Sequence, residues 1–150
     1  IAEAHAAGLI VVLWIYPRGK AVTDEKDPDL IAGAAGVALC LGADFVKVNP
    51  PHDVEGQTSA ESLKIASMAA GRTGLVCAGG SKADANVFLT QLHDQIHIGG
   101  ACGNATGRNI HMRSDDEAIR LCNAISAITL GDWSVEDAEA VFRGEKEFSL

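Results

Sequence analysis

The amino-acid sequence predicts an α/β fold in which parallel strands are joined by helical crossovers. Three observations carry this expectation. Short apolar runs recur along the chain, each is followed by a longer segment with helix-capping residues, and the strand-then-helix order repeats four times. Neighbouring parallel strands need a crossover of a dozen or more residues, usually a helix, and the spacing supplies one each time.

The elements follow in order. "IAEAHAAG" (1–8) reads as the last turns of a helix ended by Gly8, and it has no initiator methionine, so we expect a piece of a longer protein. "LIVVLWI" (9–15) is a continuous apolar run, the pattern of a strand covered on both faces. After a charged loop, Asp27 as N-cap and Pro28 at the first helical position open a helix that stops at Gly42. "DFVKVN" (44–49) is the second strand. Thr58 and Glu61 then form a capping box for "SAESLKIASMAA", ended by Gly71. "GLVCA" (74–78) is the third strand, followed by the turn "GGSK" and a helix through about Gln95. The fourth, near "ACGNAT" (101–106), is weaker, because Gly103 and Asn104 disfavour strands. It leads to "GRN" and a helix boxed by Ser114 and Glu117 that runs to Leu130. The tail adds a short helix capped at Ser134, expected outside the main core or against a neighbouring subunit. Four such units fit either an open doubly wound sheet or half of a (β/α)8 barrel.

Composition narrows the function. With 150 residues, 47% of them hydrophobic, and 16 glycines, the chain can build one domain with a real core. A formal net charge of −8 argues against general binding of nucleic acid or anionic membranes, while leaving room for a local cationic pocket. No apolar run reaches the ~20 residues needed to cross a bilayer, and no signal sequence is visible. Cys40, Cys77, Cys102 and Cys122 lack paired spacing, so reduced thiols in a cytoplasmic protein are expected.

One residue breaks the pattern of the second strand. Lys47 sits among apolar neighbours, where an ammonium is costly unless it is paired, loses its proton or performs chemistry. Side chains alternate along a strand, so Phe45, Lys47 and Asn49 share one face, opposite Val46 and Val48. On the first strand Trp14 and Tyr16 share a face, opposite Leu13 and Ile15. The aliphatic faces should meet the helices. Lys47, Trp14 and Tyr16 then point away from the helices near the strands' C-terminal ends, where barrel active sites sit. A neutral lysine amine is a nucleophile that forms a Schiff base with a ketone, and Tyr16 is a reasonable proton donor and acceptor beside it.

Two glycine clusters, "AGGSK" (78–82) and "GRN" (107–109), follow the third and fourth strands. Glycine lets backbone N–H groups approach an anion closely, and a following helix N-terminus adds a favourable dipole. A phosphate site built from consecutive loops, with Arg108 beside Gly107, is therefore expected; Lys82 and Arg18 are further candidates. Metal binding is not expected. His93 and His97 are four apart, but the helix should fray between them, and His5, His52 and His111 stand alone.

Together "LWIYPRG" (13–19), "GADFVKVN" (42–49), "AGGSK" (78–82) and "GACGNATGRNI" (100–110) resemble the archaeal-type class I fructose-1,6-bisphosphate aldolases, of the DhnA/DeoC-like aldolase group. The likeness covers residues 1 to about 130, and Lys47 follows Tyr16 by 31 residues. The resemblance implies a metal-free (β/α)8 TIM barrel, usually a homo-oligomer, of which residues 1–130 form the C-terminal half (strands 5–8) and 131–150 a helical extension. It implies that Lys47 is the Schiff-base lysine, Tyr16 the acid/base, Trp14 the active-site tryptophan and Arg18 a substrate contact. Ala78, Gly79, Gly80, Gly107 and Arg108 match the site for the ketose 1-phosphate. Three departures stand out: Ala78 replaces a frequent serine, and Asn104 and Thr106 replace aliphatic residues. The family's first four strands, with an aspartate on the first, have no counterpart here, so this segment alone is not expected to be active. Two other readings share parts of the pattern: a 2-amino-3,7-dideoxy-D-threo-hept-6-ulosonate synthase-like transaldolase, and a non-catalytic phosphosugar-binding protein. Trp14 before Ile15-Tyr16 favours fructose bisphosphate cleavage over the former, and the retained Lys47/Tyr16/Trp14 set counts against the latter.

Overall fold

The computed structural model describes residues 1–149. Four strands, β1 (Val12–Trp14), β2 (Phe45–Val48), β3 (Gly74–Ala78) and β4 (Gly103–Ala105), form one parallel sheet in the order β1-β2-β3-β4. Helix α1 (Ala2–Ala6) precedes β1. Helices α2 (Pro28–Leu41), α3 (Ser59–Ala70) and α4 (Ala85–His97) follow β1, β2 and β3 in turn. After β4 come a four-residue turn of helix, α5 (Arg108–His111), then α6 (Asp115–Gly131) and α7 (Val135–Arg143).

Local chemistry sets the boundaries. The Asp27 side chain accepts from the N–H groups of Asp29 and Leu30, with Pro28 inside the first turn, and Gly42 closes α2 at φ 84°. Thr58 with Glu61 and Ser114 with Glu117 form reciprocal capping boxes at α3 and α6. The helix expected to run through about Gln95 continues to His97, so it does not fray between His93 and His97; their ring centroids lie 4.2 Å apart with the planes tilted by 37°.

Strand order and burial decide between the two architectures. Along β2 and β3 every second residue is buried, and Val46 and Val48 are 0% exposed against α2 and α3. The alternate residues are only half-buried. A doubly wound sheet reverses its strand order and carries helices on both faces; this one does neither, and its βα units follow one another as in a (β/α)8 barrel. The apolar run 9–15 is a correction to the sequence reading. Only Val12–Trp14 is strand, and Leu9, Ile10, Val12 and Trp14 are exposed, because β1 is the edge of the sheet and no described residue covers its second face.

Two clusters fill the helix-bearing side. Ile31, Ala34, Ala35 and Ala38 of α2 pack with Leu63 and Ala66 of α3 over Val46, Val48 and Cys77. Phe88, Leu89 and Leu92 of α4 pack with Leu121, Ala124 and Ile128 of α6 and with Ala138 and Val141 of α7. Each fully buried Leu or Ile contributes roughly 1.5–3 kcal/mol. The tail helix therefore belongs to the second cluster and does not lie outside the core, since its Ala138 and Val141, three apart, make one apolar stripe for α4 and α6.

Candidate active site

The register Trp14↔Lys47 makes these two residues cross-strand neighbours on the sheet face that carries no helices. The Lys47 ammonium lies 3.7 Å from the centroid of the Trp14 indole, a cation–π distance. Among the described residues no carboxylate comes within ion-pair distance of Lys47. Of the roles the sequence leaves open for this lysine, a structural ion pair is thus not the one observed. Trp14 is 67% exposed, so the pair faces open space at the C-terminal ends of β1 and β2.

Tyr16 lies two residues beyond the end of β1, half-buried, and forms no hydrogen bond to Lys47 among the described residues. The Arg18 guanidinium sits 5.2 Å from the Tyr16 ring centroid, and its Nε donates to Glu25 Oε2 at 2.6 Å. Both partners of that ion pair are largely solvent-exposed, which makes it weak and easily exchanged. Glu25 has no sequence signal beyond being one acid in a charged loop.

The second group of expected residues gathers at the ends of β3 and β4. Gly79 donates its N–H to the Ala105 carbonyl at 3.2 Å, and a Cβ there would fall 2.9 Å from the Thr106 Cα; only glycine allows this approach. Gly80 has φ +65°, the left-handed region. Gly107, by contrast, has room for a side chain and no positive φ, so the fold itself does not require glycine there. Arg108 donates from Nε to the Gly80 carbonyl at 3.1 Å, and its terminal nitrogens form no hydrogen bond among the described residues.

Two expectations about phosphate binding need correction. The Lys82 ammonium is engaged with the Met112 carbonyl at 2.7 Å. The expected helix-dipole contribution also fails, because α4 starts only at Ala85 with Asp84 capping the Asn86 N–H, and the helix after Gly107 is a four-residue turn. The side chain that organises these loops is Asn109, which is fully buried and which the sequence marks only as part of "GRN". It donates to the carbonyls of Gly79 (2.7 Å) and Ser81 (3.1 Å) and accepts from the Ala83 N–H (2.8 Å).

A cavity of about 440 Å³ lies between the strand ends and helices α3 and α4, bordered by Asn49, Ala78, Gly79, Gly80, Asn104 and Asn109. It shares the β3 loop with the residues above but excludes Lys47, Trp14 and Tyr16. One of the departures, Asn104, borders this cavity, and its side-chain oxygen accepts from the Thr106 hydroxyl.

Burial, with a minor contribution from Cys102, pushes the Cys77 thiol up to about 12, so it stays protonated and inert. At the opposite end of β2 the Asp44 carboxyl is held below its ordinary value by the Val11 N–H and by His5. His93 and His97 lie beside Asp94 and Asp132. No group of three or more His, Cys, Asp or Glu is arranged to hold a metal ion among the described residues. Among the described residues no helix is long and apolar enough to cross a membrane.

Comparison with known proteins adds a second line of observation. Residues 1–113 match the family described as DeoC/LacD family aldolase. The fructose-bisphosphate aldolase/6-deoxy-5-ketofructose 1-phosphate synthase of Methanocaldococcus jannaschii is 58% identical over 147 residues, which is 98% of this chain and 46% of that protein. A solved fructose-bisphosphate aldolase from Slackia heliotrinireducens superposes with a TM-score of 0.96 at 74% identity, over 99% of this chain and 47% of that one. A structure of a Schiff base forming fructose-1,6-bisphosphate aldolase, solved with reaction intermediates, gives a TM-score of 0.74 at 31% identity, over 85% of this chain and 48% of that one. The chain thus spans about half the length of the proteins it matches.

Proposed function

We propose, on the premise that this chain belongs to the DeoC/LacD family of aldolases, that it carries the Schiff-base half of a class I aldolase cleaving fructose 1,6-bisphosphate reversibly. The observation that carries the reading is the Lys47 amine, free of any described carboxylate and lodged against Trp14 on the open face of the sheet. A structural lysine would be paired or turned to solvent at an edge; a nucleophilic one needs an accessible amine beside a wall that positions a carbonyl.

The steps follow from that placement. The deprotonated Lys47 amine attacks C2 of the open-chain ketose, and loss of water from the carbinolamine gives an iminium. The iminium accepts the electron pair of the C3–C4 bond as it breaks, while the C4 hydroxyl loses its proton and glyceraldehyde 3-phosphate leaves. Protonation of the enamine and hydrolysis return dihydroxyacetone phosphate and the free lysine. Tyr16 is the acid/base, reaching the reacting carbons through substrate oxygens or water, and Trp14 flanks the bond being broken. Because the iminium is the electron sink, the reaction needs no metal. Arg18 exchanges Glu25 for substrate, and Ala78, Gly79, Gly80, Gly107 and Arg108 hold the 1-phosphate.

The same reading places the protein in the cytoplasm as a homo-oligomer acting on a phosphosugar, with residues 1–130 as the half-barrel and 131–150 as an extension of it. Its four cysteines, none of them in a disulfide, suit a reducing compartment. Borohydride reduction in the presence of dihydroxyacetone phosphate tests the lysine. The intact protein should be covalently labelled and its Lys47→Ala variant should not; labelling of both would remove the basis of the proposal.

A further inference from the structure

The loop from Gly79 to Ala83 is held through four of its carbonyl groups and through the N–H groups at its two ends. Gly79 and Ser81 accept from the two donors of the Asn109 amide, Gly80 accepts from Arg108, and Ala83 accepts from Arg113 at 2.8 Å. Asn109 also accepts from the Ala83 N–H, so its buried side chain is spent on this one loop. Arg113 fixes Asn109 in turn by donating to its carbonyl at 2.8 Å.

The donors between Gly79 and Ala83 are treated oppositely. Among the described residues, the N–H groups of Gly80, Ser81 and Lys82 form no hydrogen bond to protein. A trans peptide unit points its C=O and N–H in opposite directions, and the described residues contain no cis peptide bond. Anchoring the carbonyls of residues 79, 80 and 81 therefore aims the three following N–H groups away from their anchors. Gly80 lies in the left-handed region, and a left-handed residue within a run of free N–H groups is the backbone geometry that anion-binding concavities use.

We infer that Asn109 is a positioning residue for the phosphate end of the substrate, setting the direction of the Gly80, Ser81 and Lys82 N–H groups by holding the carbonyls behind them. The inference rests on the proposed aldolase reading for the identity of the ligand, a phosphate monoester. Asn109 touches no substrate atom itself. Its effect passes through the loop, as that of a buried residue orienting a metal ligand passes through the ligand.

The test uses the intact protein and two readouts. Affinity for inorganic phosphate is measured directly, and the borohydride-trapping half-saturation is measured with dihydroxyacetone phosphate and with unphosphorylated dihydroxyacetone. In Asn109→Ala the phosphate affinity should fall roughly tenfold to a hundredfold, the scale on which misplaced binding groups act. The ratio of the two half-saturation concentrations should shift by a similar factor against the phosphorylated donor. Arg113→Ala, which removes the support behind Asn109, should move both readouts in the same direction by a smaller factor; it serves as the test if Asn109→Ala does not fold. Unchanged phosphate affinity in a folded variant, or an equal loss for both donors, overturns the inference. If no donor is trapped by the wild-type protein, the Schiff-base reading fails while the phosphate titration still decides the role of Asn109.

Discussion

The two ends of the sheet are built in opposite ways. At β1 and β2 the proposed chemistry sits on side chains: Lys47 rests on an exposed Trp14, and an exposed Arg18 reaches Glu25. At β3 and β4 the proposed chemistry sits on backbone, in a loop whose carbonyls accept from a fully buried asparagine and two arginines. The difference follows from the tasks. A nucleophile has to move through a reaction coordinate and needs access, whereas an anion site made of N–H groups works only if those groups hold one direction.

Substitutions on one strand break this comparison most sharply. Lys47→Ala should lower aldol cleavage by roughly 10³-fold or more, as removal of a nucleophile does, with little change in melting temperature. Val46→Ala, one residue away on the opposite face, should instead destabilise the fold by roughly 1.5–3 kcal/mol in denaturant titrations. Similar stability losses in both would mean that Lys47 is a packing residue.

At the other end the glycines separate fold from ligand. Gly79→Ala drives a Cβ to 2.9 Å from the Thr106 backbone and should cost about 1–3 kcal/mol, read from the denaturation midpoint. Gly107→Ala meets nothing within 4 Å and should leave stability within about 0.5 kcal/mol while weakening phosphate binding. If Gly107→Ala binds phosphate normally, the β4 loop does not belong to the anion site.

The smallest expected effect is one that should not distinguish the two ends. Glu61 and Glu117 close equivalent capping boxes at α3 and α6, and each is held below the ordinary carboxylate value of 4.5 by the backbone and side chain of its partner, Thr58 or Ser114. A carboxyl with a lowered folded-state value stabilises the protein above 4.5 and loses that contribution as pH falls through its folded value. Stability measured between pH 6 and pH 3 should therefore fall less in Glu61→Gln and in Glu117→Gln than in wild type. A marked difference between the two variants would show that one box does more than cap a helix.

Much of this was legible in the sequence because the signals are local. Capping boxes, Asp27-Pro28 and Gly42 act within three or four residues, and strand parity alone assigned Val46 and Val48 to the helices and Lys47 to the other face. Non-local relations were not legible. Asn109 reaches a loop some 30 residues earlier, and "GRN" carries no mark of which residue will be buried. The apolar run 9–15 could not say how much of it is strand or which face stays open, since periodicity is silent when every position is apolar. The Ser134 cap announced α7, but the partners of Ala138 and Val141 depend on where α4 and α6 lie in space.

The central claim is that one amine among six lysines, at positions 20, 26, 47, 64, 82 and 146, captures the substrate ketone. Reducing the intact protein with borohydride in the presence of dihydroxyacetone phosphate, then locating the adduct by peptide mass spectrometry, tests it directly. The account predicts modification confined to Lys47. An adduct on any other lysine, or none on Lys47 in an active preparation, would contradict it.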